Sequence, residues 1–209
     1  RRTIPFTLES IKNFAEFYDV ELIIVNSMSS DGTHYIVNSF VAHHRKDFYR
    51  VEVIQDPGKS LSYARNLGFR HSLGDIIVFL DGDMVLHPEF INNFKLLDTM
   101  RYDIIAPRVI ILRVDYYTAI FDTIFNVIYE SSLHMYKPSI VPQARIFTRN
   151  ALNKLRGYPV LSRYYGEDRL ATALGIAKGV RYVYMPQLKI IKIDEPSLKA
   201  YIKKHIRYG

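Results

Sequence analysis

Two carboxylates one residue apart, Asp81 and Asp83, close the apolar run "IIVFLDGDM" at residues 76–84. On an extended backbone, residues i and i+2 project to the same side, and Gly82 adds no bulk between them. Carboxylates so placed repel each other unless a cation sits there. A hard divalent ion with oxygen ligands, Mg²⁺ or Mn²⁺, suits such a pair and usually completes its shell with substrate phosphates. Asp-Gly is also common turn chemistry, so the tripeptide alone leaves a plain turn as the competing reading. The preceding run reads as a buried strand, and ligands of open α/β sheets collect at the carboxyl ends of strands. With a net charge of +7, this favours metal and diphosphate binding. A second acidic pair, Glu167 and Asp168, opens the helical stretch "EDRLATALGIAKG". Standing alone, acids there would simply offset the helix dipole.

The elements that must carry these residues alternate. Helical periodicity over 5–18 places Phe6, Leu8, Ile11, Phe14 and Phe17 on one stripe, and a β-rich run follows at 20–25. A loop then leads into a helix over 33–45, with Asp31 able to cap it at Thr33. A strand at 51–55 precedes the turn "PGKS", where Ser60 can cap a helix through residue 72. Residues 75–81 form a continuous apolar run, as expected for a parallel strand buried on both faces. A helix over 87–100, with Pro88 in its first turn, and a strand at 103–109 follow. The alternation predicts an α/β domain with a mostly parallel central sheet flanked by helices.

Beyond about residue 110 the pattern changes. A long amphipathic helix (116–136), a basic and aromatic segment (137–149) and a short helix lead to the Glu167–Asp168 helix, which Gly179 is placed to close. Two late strands, "VRYVYMP" and "LKIIKI", and a basic terminal helix complete the chain. Residues 1–209 read as one domain, with a first half to about 110 and a second half from 111.

Composition narrows the function classes. Hydrophobic residues make up 48% and charged residues 23%, which excludes a disordered chain. The absence of cysteine excludes disulfides, thiolate catalysis and cysteine zinc sites. The positive charge calls for anionic partners: phosphates, nucleic acid or an acidic membrane surface. No nucleic-acid-binding signature is present, so nucleic acid is not the expected partner. Asp122, Asn126 and Glu130 interrupt the 116–136 stretch, so it does not span lipid; core packing or a dimer contact is expected. No signal peptide opens the sequence. A cytoplasmic location is expected, with the cytoplasmic face of a membrane as the alternative.

The stretch "KSLSYARNLGFRHSLGDIIVFLDGDM" resembles the inverting, nucleotide-sugar-dependent glycosyltransferases of family 2, which have the GT-A fold. The resemblance runs through Ala64, Arg65, Asn66 and Gly68 to Asp81 and Asp83. "ELIIVNSMSSDGT" is similar to the family's second strand and loop, and "YYGEDRLATAL" to its E-D motif. It implies Asp83 as principal metal ligand, with Asp81 touching the sugar or ribose and the metal shell. It implies Asp168 as general base toward an acceptor hydroxyl, with Glu167 orienting the acceptor or holding Arg169. Arg65 either contacts phosphate or anchors its helix by a salt bridge, and Asn66 holds a turn.

The implied partners are a nucleoside-diphosphate sugar, Mn²⁺ or Mg²⁺, and a glycan or polyprenyl-linked acceptor. Tyr165 is a candidate for stacking on an acceptor sugar. Three departures stand out. Asn26 and Ser27 replace the family's nucleotide-binding aspartate after the second strand, leaving Asp31 of that loop. The family's first strand is missing, so a truncated chain is expected. "KKHIRYG" resembles the family's Q-x-x-R-W element with Arg207 in place of its arginine, which would serve the donor diphosphate, but Lys204 in place of its glutamine. The competing readings are a nucleotidyltransferase, against which no glycine-rich phosphate loop is seen, and a non-enzymatic polyanion-binding module.

Overall fold

The computed structural model describes residues 2–27, 31–99, 101–112, 144–160 and 167–193. The expected helix over 116–136, Tyr165 and the basic terminal helix with Arg207 lie outside the described residues. The chain begins with α1 (Ile4–Ala15), whose first turn accepts Pro5. Leu8 and Phe14 face the core, whereas Phe6 and Phe17 are exposed, unlike the expected stripe. Phe6 sits two positions from Leu8, about 200° around the helix, and Phe17 follows the helix end.

β1 (Glu21–Ser27), α2 (Thr33–His44) and β2 (Arg50–Asp56) follow, with β1 and β2 paired in parallel. Next comes α3 (Leu61–His71), whose N-terminus is capped as expected: the Ser60 hydroxyl accepts from the Tyr63 N–H at 3.1 Å. The remaining elements are β3 (Ile76–Val78), β4 (Met84–Leu86), α4 (Pro88–Asn93), α5 (Leu96–Thr99), β5 (Ile104–Leu112), β6 (Ile146–Thr148), α6 (Arg149–Leu155), α7 (Glu167–Ala177) and β7 (Tyr182–Ile193).

Five strands form a sheet in the order β3-β6-β5-β7-β4. Only β5 and β7 run parallel in it; β6 is antiparallel to both its neighbours, and β4 to β7. The α/β class stands, with mixed strand directions in place of a mostly parallel sheet. The three-residue β6 is the cause on one side: it slots antiparallel between β3 and β5 and is too short to show in a periodicity.

Three elements differ from expectation for local reasons. The 87–100 helix is split into α4 and α5. At the break Asn93 turns its side-chain amide onto the carbonyls of Glu89 (2.8 Å) and Gln187 (3.2 Å), competing with the helix ladder. The two late strands are one strand, β7. The extra residues Pro186–Leu188 lie where the register against β5 jumps between Pro107 and Arg108, so Pro186 occupies a bulge instead of ending the strand. In the 75–81 run only Ile77 is fully buried, while Ile76, Val78, Phe79 and Leu80 are half-buried. Among the described residues β3 pairs on one side only, with β6.

Each face of the larger sheet is covered. Phe14, Met84, Phe90, Leu188 and Ile190 pack between it, α1 and α4. Ile104, Phe147, Leu152, Tyr158 and Ala171 pack on the side of α6 and α7. The β1–β2 pair is tied to this body by α3 and by Glu21, whose carboxylate accepts from the N–H groups of Leu73 (2.6 Å) and Gly74 (2.9 Å) just before β3. Helix α7 ends as expected at Gly179, which has φ 71°. Its N–H reaches the Ile176 carbonyl and that of Val180 reaches Gly175, a Schellman closure.

Phe90 is fully buried, whereas Phe6 is 62% exposed. Phe90→Ala is expected to cost about 3–5 kcal/mol and Phe6→Ala less than about 0.5 kcal/mol, read by urea unfolding of the two variants.

Candidate active site

The run through β3 does not extend to Asp81. After Val78 the strand ends, and residues 81–84 close a turn in which the Met84 N–H donates to the Asp81 carbonyl at 2.9 Å. The D-G-D segment is therefore a turn between β3 and β4 and not the extended end of a strand. The turn is held from two directions. Thr3 and Thr7 of the α1 end donate to the Gly82 carbonyl at 2.7 and 3.2 Å. From β7, the Ile193 N–H donates to the Asp83 carbonyl at 2.8 Å. A side chain at Gly82 would meet Ile4 Cδ1 at 2.7 Å, so α1 packs directly on the turn.

Asp81 faces two buried arginines. Its Oδ1 lies 3.4 Å from Arg65 Nη2 and its Oδ2 3.0 Å from Arg145 Nη1. Burial opposes its charge, but Arg145, Arg65 and Lys192 outweigh this and hold its carboxyl below the usual range. Asp83 has Lys192 Nζ at 3.7 Å from Oδ2, while its Oδ1 is buried with no hydrogen-bond partner among the described residues. An ionised carboxylate and an orphaned buried carboxylate oxygen on one turn fit a hard divalent cation. Among the described residues no group of three metal-ligating side chains forms, so such a cation would complete its shell from the ligand.

Arg65 links this turn to the second acidic pair. From α3 its Nη1 donates to Asp168 Oδ1 at 2.7 Å, to Glu167 Oε1 at 3.3 Å and to the Tyr158 hydroxyl at 3.1 Å. The guanidinium stacks 4.8 Å from the Tyr158 ring. The surrounding anions hold Arg65 above its ordinary value although burial works against it. Arg65 thus makes the salt bridges that were one of the two roles open to it from sequence. Glu167, expected to orient the acceptor or hold Arg169, pairs with Arg65. The neighbouring Asn66 holds the turn at 157–158: its Oδ1 accepts from the Tyr158 N–H (2.6 Å) and its Nδ2 donates to the Tyr158 carbonyl (2.7 Å). Gly157, at φ 95°, has no room for a side chain beside Asn66.

Asp168 sits in the first turn of α7 and is buried. Besides the Arg65 bond, its Oδ1 accepts a hydrogen bond from the Tyr158 hydroxyl. Its Oδ2 lies 3.8 Å from Arg145 Nη2, beyond hydrogen-bond length. Arg145 and Tyr158 did not stand out in the sequence. Arg145 precedes the short β6 in a basic segment, and its only signal was a cationic residue beside the apolar pair Ile146–Phe147.

On the nucleotide side, Asn26 is buried at the end of β1. Asp31 binds the Thr33 N–H (3.0 Å) and hydroxyl (2.7 Å) at the start of α2, and these bonds hold its carboxyl low. Asn26 is thus at the carboxyl end of β1 and Asp31 just before α2. Arg207 lies outside the described residues.

Residues 1–155 match the family described as Glycosyl transferase family 2. The chain belongs to this family. Its fold is the GT-A fold shared with solved glycosyltransferases. It superposes on the mannosyltransferase PcManGT from Pyrobaculum calidifontis, in complex with GDP-Man and Mn²⁺, with a TM-score of 0.70 at 20% identity. That match covers 98% of this chain and 57% of the other. The S. aureus protein TarS (1–349), in complex with UDP-GlcNAc, gives 0.67 at 16% identity over 94% and 56% of the two chains. The probable glycosyltransferase YdaM of Bacillus subtilis (strain 168) is 42% identical over 66 residues, which are 31% of this chain and 15% of YdaM. The family 2 chain described here thus spans little more than half the length of those two solved structures.

Arg65 is the shared counter-charge of three carboxylates, so removing it strands buried negative charge. Arg65→Met is expected to lose about 3–5 kcal/mol at pH 7. In the wild type, Asp81 has a folded pKa below its unfolded value near 3.9. Its contribution is therefore present above pH ~4 and lost as pH falls through the folded value. In Arg65→Met, protonation relieves the stranded charge, so the stability gap narrows toward pH 4. Urea unfolding of both proteins between pH 7 and 4 reads the difference.

Proposed function

We propose that this chain carries the catalytic site of an inverting, metal-dependent glycosyltransferase, moving a sugar from a nucleoside-diphosphate sugar to an acceptor hydroxyl on a glycan or lipid-linked acceptor. The observation that carries the reading is convergence. Asp81 of the D-G-D turn and Asp168 of α7 are brought to the same two arginines, Arg65 and Arg145. A donor diphosphate at the turn and an acceptor at α7 would then meet across that pair. The family assignment favours this over the nucleotidyltransferase and the polyanion-binding readings.

Each residue has a chemical task. Asp83 and Asp81 would hold Mn²⁺ or Mg²⁺, which when bound neutralises negative charge on the departing nucleoside diphosphate as a Lewis acid. Asp168 takes the proton of the acceptor hydroxyl as its oxygen attacks the anomeric carbon. Attack from the side opposite the leaving group in one displacement inverts that centre. Arg145 and Arg65 favour the ionised form of Asp81, and Arg65 holds Asp168 by a hydrogen bond. Asn26 at the end of β1 and Asp31 just before α2 stand where the nucleoside would lie, and Arg207 would serve the diphosphate from the C-terminal segment. The complexes of the two structural neighbours, one with GDP-Man and Mn²⁺ and one with UDP-GlcNAc, support a sugar-nucleotide donor and leave guanine and uracil both open. No helix among the described residues is long and apolar enough to cross a membrane.

Calorimetry with UDP, GDP, CDP and ADP, with Mn²⁺ or with EDTA, tests the donor half. One nucleotide is expected to bind at micromolar Kd, and both EDTA and Asp83→Ala should weaken it at least about tenfold. Binding indifferent to both would sink the metal assignment. For the base, Asp168→Asn should keep donor affinity and lower transfer to a sugar hydroxyl by about 10²–10⁴-fold. A phosphate acceptor, already ionised, should lose far less.

A further inference from the structure

We propose that Tyr158 is a positioning residue for Asp168, fixing one carboxylate oxygen so that the other, Oδ2, is the atom that takes the acceptor's proton. This rests on the reading of Asp168 as the base. The two oxygens of Asp168 differ in their surroundings. Oδ1 accepts from both Arg65 Nη1 (2.7 Å) and the Tyr158 hydroxyl, while Oδ2 lies 3.8 Å from Arg145 Nη2. A carboxylate held by one oxygen through two donors from different directions has a fixed plane. Its second oxygen then points in a set direction.

Tyr158 is built to deliver that hydrogen bond. Its ring is clamped edge-to-face by Phe79 and Phe147, with centroids at 5.2 and 5.8 Å. Both of its backbone polar groups are held by Asn66. Packing alone would be met by phenylalanine; a hydroxyl at this depth, 2% exposed, needs partners. It has two: it accepts from Arg65 (3.1 Å) and donates to Asp168. Burial, reinforced by Asp168, pushes the phenol well above its ordinary value despite Arg65, so the proton stays on Tyr158. The phenol thus donates at any working pH and does not compete with the acceptor to protonate the base.

The step balances without another reactant. The acceptor oxygen forms its bond to the anomeric carbon as the bond from that carbon to the diphosphate oxygen breaks, and that electron pair leaves with the nucleoside diphosphate. The hydroxyl proton passes to Asp168 Oδ2. Neither Tyr158 nor Arg65 changes its protonation.

Tyr158→Phe removes the hydroxyl alone. Turnover of UDP-N-acetylglucosamine and GDP-mannose with Mn²⁺, read as released nucleotide at saturating donor, tests the proposal alongside nucleotide Kd and melting temperature. The expected result is a fall of about tenfold in kcat, with nucleotide Kd and melting temperature close to wild type. In an Asp168→Asn background the same substitution should then cost nothing further, because Tyr158 acts through Asp168. An equal loss in both backgrounds, or a loss of nucleotide affinity or stability in place of kcat, would overturn the positioning role and leave the base assignment standing. Full turnover by Asp168→Asn would overturn the base assignment and this proposal with it. A readout free of turnover is the crystal structure of Tyr158→Phe: the Asp168 carboxylate is expected to rotate or split into two conformers, and an unmoved carboxylate counts against the proposal.

Discussion

The arrangement depends on one buried cation. Arg65 lies 6% exposed among Asp81, Glu167, Asp168 and the Tyr158 phenol. An arginine withdrawn from water costs several kcal/mol unless its donors are met by anions of good geometry. Equally, three carboxylates drawn toward one point would force one another apart without it. Cation and anions are each tolerable only because the other is there. That mutual need fixes α3, the D-G-D turn and the start of α7 relative to one another.

The sequence around Arg65 makes sense in that light. Ser60 caps α3 and sets its start, and Gly68 lets the helix settle on β1, where a side chain would meet Val25 Cγ2 at 3.3 Å. Arg65 and Asn66 then leave the same turn of helix with separate duties: one gathers carboxylates, the other grips the backbone at 157–158. The A-R-N-x-G pattern is thus a structural keystone in this chain, adding side-chain polarity to the sheet pairing that also joins the two halves.

Local patterns were readable wherever local physics decided the outcome. The Ser60 cap, the Gly179 closure, the helices α2 and α3, and the strands β1, β2 and β5 followed from residue type and periodicity. Asp81, Asp168 and Arg65 also stood out, because each has an ordinary structural use alone but together their order and intervals resemble the motifs of glycosyltransferase family 2. What could not be read was set by distant partners. The antiparallel β6 exists because β3 and β5 accept it, not because Ile146–Thr148 prefers to be extended. Pro186 survives inside β7 because Pro107 on the neighbouring strand leaves room for a bulge. Arg145 and Tyr158 looked like any basic and aromatic residue until the chain brought them to Asp168. Phe6 counted as core in a hydrophobic list, although the helix angle turned it to solvent.

The two threonine bonds onto Gly82 bear on how the molecule is made. Thr3 and Gly82 are 79 residues apart, and Arg65 and Asp168 are 103 apart. Contacts of such separation repay their loop-closure entropy only once most of the chain is already arranged. Helices α2 and α3 can form early from neighbours in sequence, whereas the carboxylate cluster has no local precursor. The cluster therefore needs α3, the D-G-D turn and the start of α7 in place together, and detaching α7 would remove Glu167 and Asp168 from it. A partly folded chain would keep much of its helix and hold no site.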